Sequence, residues 1–332
     1  MVFAKVALPK LTGFVETYRG EALAWETDEL GHMNMRYYFA RAAEARALFF
    51  TKLQLGRVYK HEAFSTLVIA RQHVKYHKEV RPGQGIVVHT GVVSVENDSM
   101  VLVHVITNPA AKRGEIWQAG DYLGGLSATI VETVKHVARR TNESFAWPSR
   151  ALALTGDYMV EMPKIAQARN IDFEAILADP NDEPSVAKAD ALDLPCIGQG
   201  MFQMDECDVF GHVLTHNMVG RISNSVQHLI QAWPDIDFAS ESDITGALLE
   251  ACAQYCRWPK AGDCFVIRSG LRSVNSHTSE LCHWILDPVT GKCWGSFLGV
   301  ACRFNMKTRK LVKLDEETLA LVQKSVTQNI RP

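Results

Sequence analysis

The chain has 332 residues, 47% of them apolar, and a formal net charge of −2. That length suits about two domains of ordinary size, and that apolar content can fill a buried core. The near-neutral charge excludes the strong basic field of a nucleic-acid or anionic-surface binder, and apolar runs such as residues 100–103 fall far short of the roughly 20 residues a membrane span needs.

Residues 1–10 lack a basic start followed by a long apolar stretch, so no signal peptide and a cytoplasmic location are expected. Residues 1–140 read as a first domain. An apolar strand containing Trp25 leads into the turn Asp28-Glu29-Leu30-Gly31-His32. A helix follows, with Ala40, Ala43, Ala47 and Phe50 at three- and four-residue spacing on one face. Strands are expected over residues 66–74 and 86–95, with a turn at Asn97-Asp98-Ser99 and a return strand over 100–107. Asn108-Pro109 ends that strand, because proline has no N–H to give a ladder. Residues 116–135 read as a last strand or hairpin arm. One helix followed by four or five antiparallel strands gives the class α+β, with the helix packed on one sheet face.

Residues 141–196 carry Pro148, Pro163, Pro180, Pro184 and Pro195 and read as a connector, with a short helix over 171–178. Residues 197–332 read as a second domain. Asp315-Glu316-Glu317 opens its C-terminal helix over 318–326, with the acids at the end the helix dipole prefers.

The two domains are copies. His104 and Pro109 recur as His283 and Pro288, and Tyr76 and Gly83 as Tyr255 and Gly262, all 179 residues on. Gly114-x-x-Trp117 recurs in the same order as Gly291-x-x-Trp294, 177 residues on. Asp28, Gly31 and His32 recur as Asp208, Gly211 and His212, 180 residues on. So many coincidences in one order mark an internal repeat.

All eight cysteines lie after residue 190 and none forms a Cys-x-x-Cys pair, Cys252 and Cys256 being the nearest approach. They read as buried, reduced thiols and no metal site is expected. There is no Gly-x-Ser-x-Gly elbow, phosphate-binding Gly-Lys-Ser/Thr loop or His-Glu-x-x-His motif.

The run from Trp25 to Tyr38, with Asp28, Gly31, His32 and Asn34 ahead of a helix that carries Glu44-Ala45-Arg46, resembles the hot-dog thioesterase signature. The stretch from Tyr76 to Gln84 resembles the strand and turn that follow the helix in that family. The resemblance covers both halves and omits the connector. It implies a helix wrapped by a curved antiparallel sheet, two such domains in one chain as a double hot-dog, and an acyl-CoA bound between domains that pair through their sheets. It implies no cofactor, coenzyme A entering only as part of the substrate, and it leaves further homo-oligomeric assembly open.

A thioester is already activated, because its leaving thiol has a pKa of only about 8.5. Its hydrolysis needs a base or nucleophile and a site for the developing oxyanion. Asp28 suits either role, or caps the helix. The helix start near Asn34 offers unpaired N–H groups and a positive dipole end. Gly31 and Gly211 let backbone approach a ligand. His32 is placed to orient water or to bond the carbonyl, and Asn34 to cap or to contact substrate. Glu44 points either to the site or to Arg41 or Arg46. His104 and His283 read as packing residues. Lys78, Arg81, Arg257 and Lys260 are candidates for the coenzyme A phosphates, and Phe39, Phe49 and Phe64 for an acyl pocket.

In the second copy Asp208 and His212 remain, Asn217 comes later than Asn34, and the Glu-Ala-Arg stretch is gone. The Asp28 site is therefore favoured. The competing readings are a non-catalytic acyl-thioester binding protein, a thioesterase for acyl groups on a carrier protein, and an enoyl-CoA hydratase. The last has its own Asp-x-Asn-x-x-His pattern, which this chain lacks.

Overall fold

A computed structural model describes residues 12–109, 116–119, 122–173, 176, 182–232, 243–308 and 310–332. The chain forms two compact units, residues 1–68 with 77–167, and residues 69–76 with 168–332. Of the expected connector 141–196, residues up to 167 fall in the first unit and those from 168 in the second. Of the helix expected over 171–178, only residues 171–173 and 176 lie within the described residues.

In the first unit, strands β1 (Val15–Glu21), β3 (Gly85–Val95), β4 (Ser99–Asn108) and β6 (Tyr122–Ala138) form an antiparallel sheet in the order β1-β3-β4-β6. β5 (Ile116–Ala119) turns back on β6 as a hairpin arm. Helix α1 (Met35–Lys52) packs against β1, β3, β4 and β6. Its buried residues are Tyr38, Phe39, Ala40, Arg41, Ala42, Ala45, Arg46, Phe49 and Phe50. Of the face expected from spacing, Ala40 and Phe50 are buried, and Ala43 and Ala47 are half-buried at its margin. Ser149–Thr155 forms helix α2, and Trp147 just before it stacks on Phe50 with ring centroids 5.7 Å apart.

Beneath α1 runs a buried polar chain. Arg46 donates to both oxygens of Glu132 at 3.0 and 2.8 Å. Glu132 meets His104 Nε2 at 2.9 Å, His104 Nδ1 meets Thr90 at 2.7 Å, and Thr90 meets Thr17 at 2.7 Å. Burial opposes the Glu132 charge, but Arg46 and His104 outweigh it and hold the carboxyl down to about 2.

In the second unit the order is β2-β8-β11-β10-β9-β7, with β12 (Lys310–Leu311) on β11. The strands are β2 (Ser65–Tyr76), β7 (Cys196–Met201), β8 (Ile244–Tyr255), β9 (Cys264–Val274), β10 (Thr278–Leu286) and β11 (Cys293–Asn305), β2 joining from Ile69 onward. Val186–Ala191 is helix α3, Thr215–Ser223 helix α4, Gln227–Ala232 helix α5 and Glu316–Gln323 helix α6. Asp315 caps α6 by accepting from the Thr318 N–H at 2.7 Å. His73 on β2 faces Cys252 on β8, so two positions equivalent under the 179-residue shift lie directly opposite. Glu250, 1% exposed, accepts from the Arg169 and Asn170 N–H groups at 3.0 and 2.8 Å and pairs with His73 at 2.7 Å.

Each unit is a helix set on an antiparallel sheet, and the chain is a tandem double hot-dog of the α+β class. One sequence match between the copies is corrected. His104 faces Ile130, 26 residues on, whereas His283 faces Phe297, only 14 residues on. The first copy is 12 residues longer here and carries the β5 strand, so Trp117 lies on that hairpin arm and Trp294 on the main strand β11. The true counterpart of Trp294 is Ser127: both stand at a bulge, and both carbonyls receive two N–H groups from the residues after the preceding strand.

His283 is fully enclosed, its Nδ1 meeting Ser269 at 2.7 Å, and burial pushes its imidazole from 6.5 down to about 4. Burial likewise lowers His89 to about 4, against the pull of Glu16. Both stay neutral in the folded protein at a pH where the unfolded chain already holds the proton. Their stabilisation is complete above pH 6.5 and is lost as pH falls toward 4, on the order of 3 kcal/mol per histidine. Urea denaturation across this range is expected to show a falling midpoint, with a shallower fall in His283→Gln.

Candidate active site

The segment before α1 is fixed by a buried acid. Trp25, expected in a strand, sits instead in the 3-10 turn Ala24–Glu26 and is 75% exposed. Glu26 points inward, accepts from the Leu23 N–H at 3.1 Å and pairs with Arg41 on α1. Its backbone carbonyl accepts from the Asn34 N–H at 2.8 Å. Burial works against the Arg41 charge, but the hydrogen bond to Glu26 more than restores it, so the guanidinium is held even more firmly protonated than usual.

Between these anchors Asp28 organises a tight turn. Its Oδ1 accepts from the N–H groups of Leu30 at 3.0 Å and His32 at 3.1 Å. Its own N–H reaches the His32 carbonyl at 2.9 Å, and the Gly31 N–H returns to the Asp28 carbonyl at 3.0 Å. Gly31 has φ +74° with open space around the missing Cβ, so the glycine serves the left-handed backbone and not a close approach. Asp28 Oδ2 takes no hydrogen bond among the described residues.

The turn presents His32 to Glu79, Nε2 to Oε2 at 3.0 Å, both side chains about one-fifth exposed. Glu79 also holds Arg81 at 3.0 Å. The loop carrying Glu79 is locked to the turn by the Met33 N–H, which donates to the Val80 carbonyl at 2.7 Å. Tyr38 lies beneath, hydrogen-bonded to the Val80 backbone; burial pushes its phenol up, Glu79 and Asp28 adding to the effect. Asn34 caps α1, its Oδ1 accepting from the Arg36 N–H at 3.0 Å. The Met35 N–H, first in the helix, takes no partner among the described residues.

Several expected residues fall elsewhere. Glu44 is exposed and pairs with Arg41 at 2.8 Å, on the outer side of the helix. Phe64 is 90% exposed, and Phe39 and Phe49 are core residues. Lys78 and Lys260 are exposed. Arg257 is engaged by Glu183 and by the Cys293 carbonyl, the latter at 2.9 Å. Glu79 escaped the sequence reading; its place in the Tyr76–Gln84 stretch was visible, but its partner was not.

The second unit repeats the turn. Asp208 Oδ1 accepts from the Phe210 N–H at 2.8 Å and the His212 N–H at 3.0 Å, and Gly211 has φ +81°. Glu206 pairs with Arg221 on α4, Nε to Oε1 at 2.9 Å. The Val213 N–H donates to the Pro259 carbonyl at 2.8 Å, as Met33 does to Val80. That shared bond aligns Glu79 with Trp258, so no carboxylate stands at this position. Asn217 is buried inside α4 and donates to the Glu206 carbonyl at 2.8 Å; it braces the turn, while the cap position is Leu214, with no side-chain bond. Among the described residues no group of three or more His, Cys, Asp or Glu could hold a metal ion, and no helix is long and apolar enough to cross a membrane.

The thioesterase-like superfamily profile matches residues 22–154 and 202–322. No curated protein matches the chain in sequence. Among solved structures, a provisionally named oleoyl thioesterase from Lactobacillus plantarum shares 11% identity over 88% of this chain and 97% of its own, with TM-score 0.62. An acyl-ACP thioesterase from Bacteroides thetaiotaomicron shares 12% over 87% and 98%, with TM-score 0.60. A 12:0-ACP thioesterase from Umbellularia californica shares 10% over 87% and 94%, also with TM-score 0.60. At these identities the likeness is one of fold.

Arg41→Ala leaves the Glu26 carboxylate buried without its cation and is expected to cost about 3–5 kcal/mol in urea unfolding. Arg221→Ala is expected to cost markedly less, because Arg221 and Glu206 are 27% and 14% exposed.

Proposed function

The chain belongs to the thioesterase-like superfamily, and from that premise we propose that it hydrolyses an acyl thioester, an acyl-CoA in the first instance, at the Asp28 turn. The observation that carries this reading is the His32–Glu79 pair, which has a carboxylate in the first copy and Trp258 in its place in the second. A histidine whose Nε2–H is given to a carboxylate is fixed in orientation and tautomer and keeps Nδ1 as a lone pair. His32 therefore takes the proton from an attacking water, with Glu79 stabilising the imidazolium that forms. Water adds to the thioester carbonyl, and the tetrahedral oxyanion is met by the free Met35 N–H at the positive end of α1. Collapse expels the thiolate, which receives the proton from His32 and leaves with coenzyme A.

Asp28 spends Oδ1 on holding the turn, as Asp208 does in the second copy. Lys78, exposed on the loop that carries Glu79, is a candidate for a coenzyme A phosphate. Asp208 and His212 hold a second turn, where Trp258 stands in the place of Glu79.

Thiol release from a panel of acyl-CoAs and carrier-bound acyl groups tests this. His32→Gln and Glu79→Gln are expected to lower kcat by about 10²–10⁴-fold. Asp28→Asn, which keeps the Oδ1 acceptor, is expected to lose about tenfold, and Asp208→Asn to leave the rate unchanged. Collapse with Asp28→Asn but not Glu79→Gln moves the base role to Asp28. Release only from carrier-bound substrates changes the substrate, and none from either leaves a binding protein.

A further inference from the structure

The sequence suggested eight buried thiols, but Cys196 and Cys256 are exposed. Cys256 follows the end of β8, and its N–H donates to the Trp294 carbonyl at 3.0 Å. The Arg257 N–H donates to the same carbonyl at 3.1 Å. The bulge at Trp294 therefore sets two residues against one and brings Cys256 beside Cys293, where the two thiols hydrogen-bond to each other. Cys293 is fully buried and Cys256 faces solvent. Arg257 lies over the same place, its Nη1 donating to the Cys293 carbonyl at 2.9 Å.

From this geometry we propose that Cys256 and Cys293 form a reversible two-electron redox site that a hydroperoxide converts to an intrachain disulfide. Cys256 is the attacking member. The hydrogen bond from Cys293 holds its thiol below the ordinary value, against burial and Glu183, and Arg257 assists. The buried partner is pushed up by that hydrogen bond and by burial, which keeps it protonated until it is needed. The other buried thiols Cys252 and Cys282 are raised to about 12 by burial alone as the leading cause, and the exposed Cys196 donates to the Gly198 carbonyl at 3.4 Å.

The chemistry balances. The Cys256 thiolate attacks one peroxide oxygen, the O–O bond breaks, and the departing hydroxide or alkoxide takes a proton. Cys256 is now a sulfenic acid. The Cys293 sulfur attacks that sulfur, the S–O bond breaks, and the leaving hydroxide takes the Cys293 proton to give water. One peroxide is reduced and two thiols are oxidised. The site is particular to the second copy: by the bulge alignment, His77 and Leu126 hold these places in the first. The proposal does not depend on the hydrolytic reading.

The test uses the full chain, reduced and then freed of reductant, treated with hydrogen peroxide, alkylated and digested without reduction. Two of the eight thiols are expected to disappear, with the Cys256 and Cys293 peptides joined and separated again by a dithiol reductant. Cys293→Ser is expected to stop at a Cys256 sulfenic acid that a cyclic 1,3-diketone traps, and Cys196→Ser to leave the linkage intact. The proposal is overturned if all eight thiols survive peroxide. It fails equally if Cys256 joins another cysteine or another chain, or passes to the sulfinic acid in the wild type without forming the linkage.

Discussion

In each copy a glutamate two residues before the turn aspartate is tied to an arginine on the following helix, and the turn depends on that pair. Glu26 with Arg41 and Glu206 with Arg221 do more than neutralise one another. The glutamate carboxylate also takes the N–H at the start of its own 3-10 turn, and its carbonyl takes the N–H at the foot of the helix. One acidic residue thus fixes the entry of the segment, its exit and the helix beyond it. The aspartate then needs only to close a short turn between fixed ends. A loop of this kind, anchored at both ends, costs little further entropy to order, so its side chains are presented in one geometry.

On that shared frame the copies have diverged in chemistry. The first keeps a carboxylate against the turn histidine and a buried chain from Arg46 through Glu132 and His104 to Thr17. In the second, Trp258 replaces the carboxylate, and Gly299 stands where the strand alignment places Glu132. His283 keeps only its hydroxyl partner, Ser269, where His104 has both Thr90 and Glu132. Helix α4 is half the length of α1, nine residues against eighteen. The Arg46–Glu132–His104 chain and Glu79 belong to one copy, and the paired thiols to the other.

The bulge after β2 and its twin after β8 show how one backbone device serves two ends. In both, a single carbonyl receives two successive N–H groups, which turns the chain toward the loop that meets the aspartate turn. In the first copy that loop delivers Glu79. In the second the same twist brings two cysteines into contact. Backbone geometry was kept while side chains were exchanged, because the hydrogen bonds involved are made by main-chain atoms that every residue but proline supplies in full.

By itself the sequence determined the repeat, the α+β class and the strands over residues 66–74, 86–95 and 100–107. These rest on local chemistry: spacing, turn residues, and the matched order of Asp, Gly and His. It misplaced Trp25 and matched Trp117 with Trp294, because exposure and a hairpin insertion are set by what packs against a segment. Only the tertiary structure decided that Asp28 spends one oxygen on its own turn, that His32 meets Glu79 while Trp258 takes the place of Glu79 in the second copy, and that Cys256 finds Cys293. These pairings join residues far apart in the chain, and their contact depends on strand register and on two bulges that no local pattern encodes.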